Sequence, residues 1–196
     1  QPTKKKLGIA LLGLGNYSTN LLAPALQHTN YCELRGIITG TESKIPKWQR
    51  QHGIKESNVY TYRTMDDISN NDDIDVIYVV TPTGTHKDFA VKAANTGKHV
   101  WCEKPMAMDS EECQAIIDAC NKNNVTLSIG YRMQHEPNTR TFHQYIDTKP
   151  YGEITAVSSF AGYSGQGRSP DNWRMQKHMG GGALYDMGVY AINGPR

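Results

Sequence analysis

The stretch "KLGIALLGLGNYSTNLLAPAL", residues 6–26, decides how the rest of the chain is read. An apolar run enters a glycine turn at Gly13 and Gly15, and a helical pattern of leucines and alanines leaves it. A strand that runs through a glycine turn straight into a helix is the first half of a βαβ unit. The same alternation recurs: "LRGII" then "SKIPKWQRQHG", "DVIYVV" then "THKDFAVKAANTG", "HVWC" then "DSEECQAIIDACNKNN", and finally "TLSIG". Short strands without polar alternation, separated by helices, indicate a doubly wound parallel sheet covered on both faces. Asp109 followed by Glu112 outlines a capping box for the fourth helix, and Gly97 is placed to close the third.

Within the first turn, Gly13, Leu14, Gly15, Asn16, Tyr17 and Ser18 spell GxGxxS, a variant of the dinucleotide fingerprint. The first glycine permits a tight turn, the second lets a pyrophosphate approach backbone N–H groups, and the third position must be small for the helix to pack on the sheet. Serine meets that demand. Where the second strand ends, an enzyme that uses NAD presents a carboxylate to the adenosine ribose, but here the chain reads Thr39, Gly40, Thr41 with Lys44 close by. A small residue and a lysine leave room and charge for a 2′-phosphate, so NADP is expected over NAD.

Two further segments leave the same edge of the expected sheet. "TPTGTH", residues 81–86, comes after the apolar "DVIYVV", so Thr81, Pro82, Thr83 and His86 are candidates to line a cofactor. "HVWCEKPMAMD", residues 99–109, ends a strand directly in Glu103 and Lys104, with Pro105 barring its continuation. Lys104 is either a turn lysine or a functional cation held at the sheet edge. In "MGGGALYDMGVYAIN", Asp186 and Tyr190 are four residues apart, a spacing that puts both on one helix face and lets them share a pocket. A phenol needs a nearby cation to act as a base near neutrality, and Lys104 could supply it, although this segment alone favours Tyr190 as an amphipathic core residue beside Val189 and Ile192.

With 196 residues and a net charge of +2, 38% of the residues hydrophobic and 20% charged, the chain has the make-up of a soluble globular protein without a nucleic-acid footprint. No apolar run approaches the roughly 20 residues that span a bilayer. Cys32, Cys102, Cys113 and Cys120 form no CxxC pair, and no metal site or disulfide is expected. Gln1 at the start fits removal of a leader as well as a trimmed chain, so cytoplasmic and periplasmic locations both stay open. The grammar changes after residue 150, where "GEITAVSSFAGYSGQG" reads as a β-like run into a flexible stretch. The expected division is residues 1–150 for the dinucleotide-binding domain and 151–196 for the beginning of a larger second one.

Together the glycine turn, "TPTGTH", "AANTGKHVWCEKPMAMD", "GYRMQHEP", "NWR" and "GGGALYDMGVYAINGPR" resemble the Gfo/Idh/MocA oxidoreductases, and within them the glucose-fructose oxidoreductase group. The resemblance covers nearly the whole chain, and its most specific element is EKP after "GKHV". It implies a Rossmann-type sheet continued by an α+β domain with an open, mostly antiparallel sheet, and assembly into a homo-oligomer through that domain. It implies an NADP-dependent enzyme that passes a hydride between the nicotinamide and a sugar, polyol or related cyclic alcohol. Lys104 would then sit beside the nicotinamide and substrate hydroxyl, Tyr190 would be the acid or base, and Asp186 would orient the polar network. Arg132, Trp173 and Arg174 would line the pocket. The same resemblance extends to non-catalytic NADP-binding regulators and to glycosidases that use NAD transiently.

Overall fold

The computed structural model describes residues 6–194, which form two compact units divided between Ile129 and Gly130. The first holds six strands, β1 (Leu7–Leu12), β2 (Cys32–Thr39), β3 (Val59–Thr61), β4 (Val76–Val79), β5 (His99–Cys102) and β6 (Leu127–Ile129). All pairings are parallel, and the order across the sheet is β3-β2-β1-β4-β5-β6. That is the doubly wound Rossmann order, with the chain switching direction at β1 and β4. The expected fold of this half of the chain is therefore present.

Side-chain period decides which helix covers which face. Ala10 and Leu12 of β1 join Ile38, Ile77, Val79, Val100 and Cys102 under α3 (His86–Asn95) and α4 (Ser110–Lys122). Leu11 points the other way, with Ile37, and meets Ala23 of α1 (Ala23–Leu26) and Trp48 of α2 (Ile45–His52). Every apolar residue in β1 after Leu7 is fully buried, which is why no polar alternation survives in these strands.

Helix ends obey the local chemistry. The Asp109 carboxylate accepts from the Glu112 amide at 2.8 Å and Glu112 accepts in turn from the Met108 amide at 3.1 Å, so the capping box reaches one residue further back than its usual form. Gly97 takes φ +77° just past α3, and Gly53 takes φ +66° past α2.

In the second unit α5 (Pro137–Thr148) buries none of its residues, and the Glu136 carboxylate caps it by accepting from the Thr139 amide at 3.2 Å. Sequence grammar sets the domain boundary near Pro150 to Gly152, whereas compactness groups α5 with the residues on its carboxyl side. Residues 152–165 form no strand, since no described segment ladders with them. A wide turn over Leu184–Gly188 leads into α6 (Val189–Asn193). No described helix is long and apolar enough to cross a membrane.

Leu11 is fully buried between the sheet and α1 and α2. Leu11→Ala should cost about 2–5 kcal/mol, read as a lower urea midpoint with an unchanged denaturant slope.

Candidate cofactor and active site

The glycine turn is fixed by three contacts. The Gly13 amide donates to the Ile38 carbonyl at 3.0 Å, one residue beyond the strand end, and Gly13 adopts φ +98°. A Cβ there would stand 2.6 Å from the Val80 carbonyl oxygen, so glycine is required twice over. Ser18 is fully buried and its hydroxyl donates to the Gly13 carbonyl at 2.5 Å. The serine in the third fingerprint position is thus small enough to pack and also ties the helix start to the turn. Gly15 has the opposite environment: an added Cβ would meet nothing within 4 Å. Open space over backbone amides at the start of a helix suits a pyrophosphate, so these residues fit a dinucleotide.

The adenosine end is set by the tip of β2. Thr39 is buried, and its hydroxyl accepts from the Thr41 amide at 3.0 Å. No carboxylate occupies the strand tip. Lys44 donates from Nζ to the Leu14 carbonyl at 2.8 Å, which brings its charge to the glycine turn. The space at Gly40 is used differently from the sequence expectation. A Cβ there would lie 2.6 Å from the Tyr62 ring, so the smallness of Gly40 serves contact with an aromatic side chain. Glu42 pairs loosely with the exposed Arg63 at 3.8 Å.

At the ends of β4 and β5 the turns are braced from below. The Glu103 amide continues the ladder to the Val79 carbonyl at 3.0 Å, and Lys104–Pro105 is a cis peptide. Glu103 is largely buried, and Tyr78 from the middle of β4 donates its hydroxyl to Glu103 Oε1 at 2.5 Å. Burial and the Glu103 charge push the Tyr78 phenol well above its ordinary pKa, so it stays a donor. Thr83 is buried as well. Thr85, two residues on, donates its hydroxyl to the Thr81 hydroxyl at 2.8 Å and lies 2.8 Å from the Pro82 carbonyl. His86 is 1% exposed, with Nδ1 2.9 Å from the Pro105 carbonyl oxygen and Nε2 2.8 Å from the Thr81 carbonyl oxygen. Its ring nitrogens therefore face protein carbonyls, not a ligand.

In the second unit, the NWR and triple-glycine segments are stitched by backbone. The Gly181 amide donates to the Gln176 carbonyl and the Gly182 amide to the Arg174 carbonyl, each at 2.9 Å. A Cβ on Gly181 would lie 2.6 Å from the Arg174 carbonyl, and Gly182 takes φ +111°. This arrangement lines a hollow of about 430 Å³ with Asp186, Arg174, Arg168 and Tyr163. Asp186 accepts from the Tyr163 hydroxyl and pairs with Arg174 at 3.2 Å and Arg168 at 3.7 Å. Arg174 also lies over the Trp173 ring at 4.4 Å and Arg168 over Tyr163 at 4.6 Å.

Tyr190 lines a different hollow, with Arg132, whose guanidinium is 6.0 Å from the Tyr190 ring centre. Tyr190, on α6, comes four residues after Asp186, which lies in the Leu184–Gly188 turn. Tyr78, Tyr163 and Arg168 are the site residues that sequence reasoning missed. A tyrosine inside "DVIYVV" is the available signal for the first; Gly and Ser neighbours give none for the other two.

Burial is the largest influence on His86 and holds its pKa below the ordinary imidazole value, against the carbonyls of Thr81, Pro105 and Met106 and with help from the Lys104 charge. The unfolded chain therefore binds this proton first as pH falls through about 6.5. Its contribution to stability is complete above that pH and is lost below it. The stability advantage of wild type over His86→Asn should shrink as pH drops from about 7.5 to about 5, measured as urea midpoints.

Comparison with known proteins agrees with this geometry. Residues 7–131 match the family described as "Oxidoreductase family, NAD-binding Rossmann fold", GFO_IDH_MocA, and residues 139–194 match the GFO/IDH/MocA C-terminal domain. A D-xylose 1-dehydrogenase [NADP(+)] from Haloarcula marismortui is 29% identical over 99% of this chain and 54% of that protein. A levoglucosan dehydrogenase from Pseudarthrobacter phenanthrenivorans is 34% identical over 64% of this chain and 33% of its own length. The crystal structure of an aldose-aldose oxidoreductase from Caulobacter crescentus, complexed with glycerol, superposes with a TM-score of 0.94 at 37% identity over 98% of this chain and 57% of that one. The chain thus spans about half the length of the curated D-xylose 1-dehydrogenase it matches. With a family match over most of its length, a Rossmann strand order and a glycine turn open to a pyrophosphate, the chain belongs to the GFO/IDH/MocA oxidoreductase family.

Proposed function

We propose that this chain forms the cofactor-binding part of an NADP-dependent oxidoreductase that acts on the CH–OH group of a sugar, polyol or related cyclic alcohol. The observation that carries the reading is Lys104, set in a braced turn at the carboxyl edge of the sheet beside the Thr81–His86 loop. Relatives named as an NADP xylose dehydrogenase, a levoglucosan dehydrogenase and an aldose-aldose oxidoreductase support the substrate class. Bound NADP supplies the hydride acceptor, which takes two electrons and the hydrogen of the substrate carbon. In the direction of oxidation the hydroxyl proton leaves to a base, and a carbonyl remains.

Each residue then has a task. Lys104 would hold the substrate oxygen and stabilise charge developing on it, and Tyr190 would exchange its proton. Gly13, Gly15 and the amides after them would hold the pyrophosphate. Lys44, at the glycine turn, would meet the 2′-phosphate, which explains a preference for NADP without a carboxylate at the β2 tip. Asp186 is committed to Tyr163, Arg174 and Arg168, which suits a rigid polar wall better than proton transfer.

NADP reduction monitored at 340 nm with D-xylose, D-glucose and other aldoses tests the reading directly; absence of turnover with every aldose and polyol would overturn it. Lys104→Met should leave NADP affinity nearly unchanged while kcat falls by about 100-fold or more. Tyr190→Phe should behave alike, and the double variant should cost far less than the product of the two losses. Lys44→Ala should weaken NADP and spare NAD, and equal losses for both cofactors would show that Lys44 does not meet the 2′-phosphate.

A further inference from the structure

Lys104 is flanked by two residues that are each gripped by a side chain from β4 or the start of α3. On one side, Glu103 Oε1 accepts from the Tyr78 hydroxyl at 2.5 Å, and Glu103 Oε2 lies 3.3 Å from the Lys104 amide as its acceptor. On the other side, the Pro105 carbonyl lies 2.9 Å from His86 Nδ1, while the far nitrogen of the same ring reaches the Thr81 carbonyl at 2.8 Å. Both grips are buried: Glu103 is 8% exposed and His86 is 1% exposed. Tyr78 belongs to β4 and His86 opens α3, and the loop that holds Thr81 to Thr85 joins the two elements. A phenylalanine would fill the space of Tyr78 against Trp101, whose ring centre is 5.6 Å away, without the hydroxyl. The hydroxyl is therefore not explained by packing alone.

We infer that Tyr78 and His86 are positioning residues for Lys104, acting through Glu103 and Pro105 to fix the turn from which its amine is presented. The inference rests on the reading of Lys104 given above. Fixing both neighbours of a residue leaves its backbone no freedom to swing, and the amine then samples only its own side-chain torsions. A reacting group displaced by about 1 Å loses on the order of 100-fold in rate, so bracing of this kind is visible in turnover even though neither residue touches substrate. His86 also stands between the Thr81 loop and the turn, and its neutral ring, with one N–H, donates to one of the two carbonyls in each tautomer.

Two substitutions of the histidine separate its two contacts. Asparagine places an amide nitrogen near Nδ1 and can keep the Pro105 contact, whereas glutamine reaches the position of Nε2 and can keep the Thr81 contact. In the full chain, with NADP and D-xylose as the probe, His86→Gln and Tyr78→Phe should lower kcat by about 10- to 100-fold. KM for NADP should stay within about twofold for both, since the glycine turn is untouched. His86→Asn should recover to within about threefold of wild type, a rescue that a purely structural role would not produce. Hydrogen exchange across residues 103–108 should quicken in His86→Gln and Tyr78→Phe and stay near wild type in His86→Asn. A His86→Asn rate as low as His86→Gln, or a Tyr78→Phe rate equal to wild type, would overturn the inference. If wild type turns over no aldose, the proposed function falls and exchange alone judges the grips: unchanged protection in both weakened variants overturns them, and selective loss supports them.

Discussion

Six strands running the same way impose one constraint on everything chemical in the first unit: each strand releases its next segment at the same edge. The glycine turn, the β2 tip, the Thr81–His86 loop and the Glu103–Lys104 turn are neighbours for this reason, although residues 13 and 104 are far apart in sequence. Backbone bonds extend the ladder past the strand ends, from Gly13 to Ile38, Val80 to Leu12 and Glu103 to Val79. The loops thus begin on a rigid register. This is why a glutamate and a lysine can come directly after the buried Cys102 with no softening residue between: the Glu103 amide is still part of the sheet.

The same arrangement brings polar groups into places with little water. Ser18, Thr39, Thr83, His86 and Glu103 are all buried, and the bonds described for Ser18, Thr39, His86 and Glu103 all end on other parts of the edge or on the strands beneath it. A buried group that loses its partner costs about 1–3 kcal/mol, more if charged. These bonds therefore do little to raise net stability when made, but they penalise any rearrangement of the loops. Stiffness at the edge comes from that penalty.

How much of this is legible in the sequence depends on the range of the interaction. The strand and helix alternation, the glycine turn, the cap at Asp109 and the stop at Gly97 are legible because each is encoded within a few residues. Ser18 is legible as a small residue but not as a hydroxyl that ties the turn. Gly40 reads as empty space, and Tyr62, 22 positions later, fills it. Tyr78 and Glu103 are 25 apart, and nothing local in either segment announces the bond between them. The spacing of Asp186 and Tyr190 is legible, whereas the wide turn over Leu184–Gly188 and the bonds from Asp186 to Tyr163, Arg174 and Arg168 have no short sequence signature.

Lys44 shows how one contact can serve structure and, in the proposed function, selectivity as well. Its amine donates to the Leu14 carbonyl, so the charge is held at the glycine turn before any ligand arrives. A lysine that had to be ordered by the phosphate would lose side-chain entropy on binding, of the order of 1.5–2 kcal/mol for a fully immobilised chain. Held in advance, it has less freedom left to lose, and its charge remains available because a carbonyl oxygen accepts one hydrogen and neutralises nothing. An ammonium has three such hydrogens, so a phosphate can be met without releasing Leu14. A carboxylate at the same strand tip would have offered acceptors to ribose hydroxyls and repelled a phosphate. With Thr39 turned inward to the Thr41 amide and Gly40 against Tyr62, the tip itself carries no carboxylate, and Glu42 beyond it pairs with Arg63.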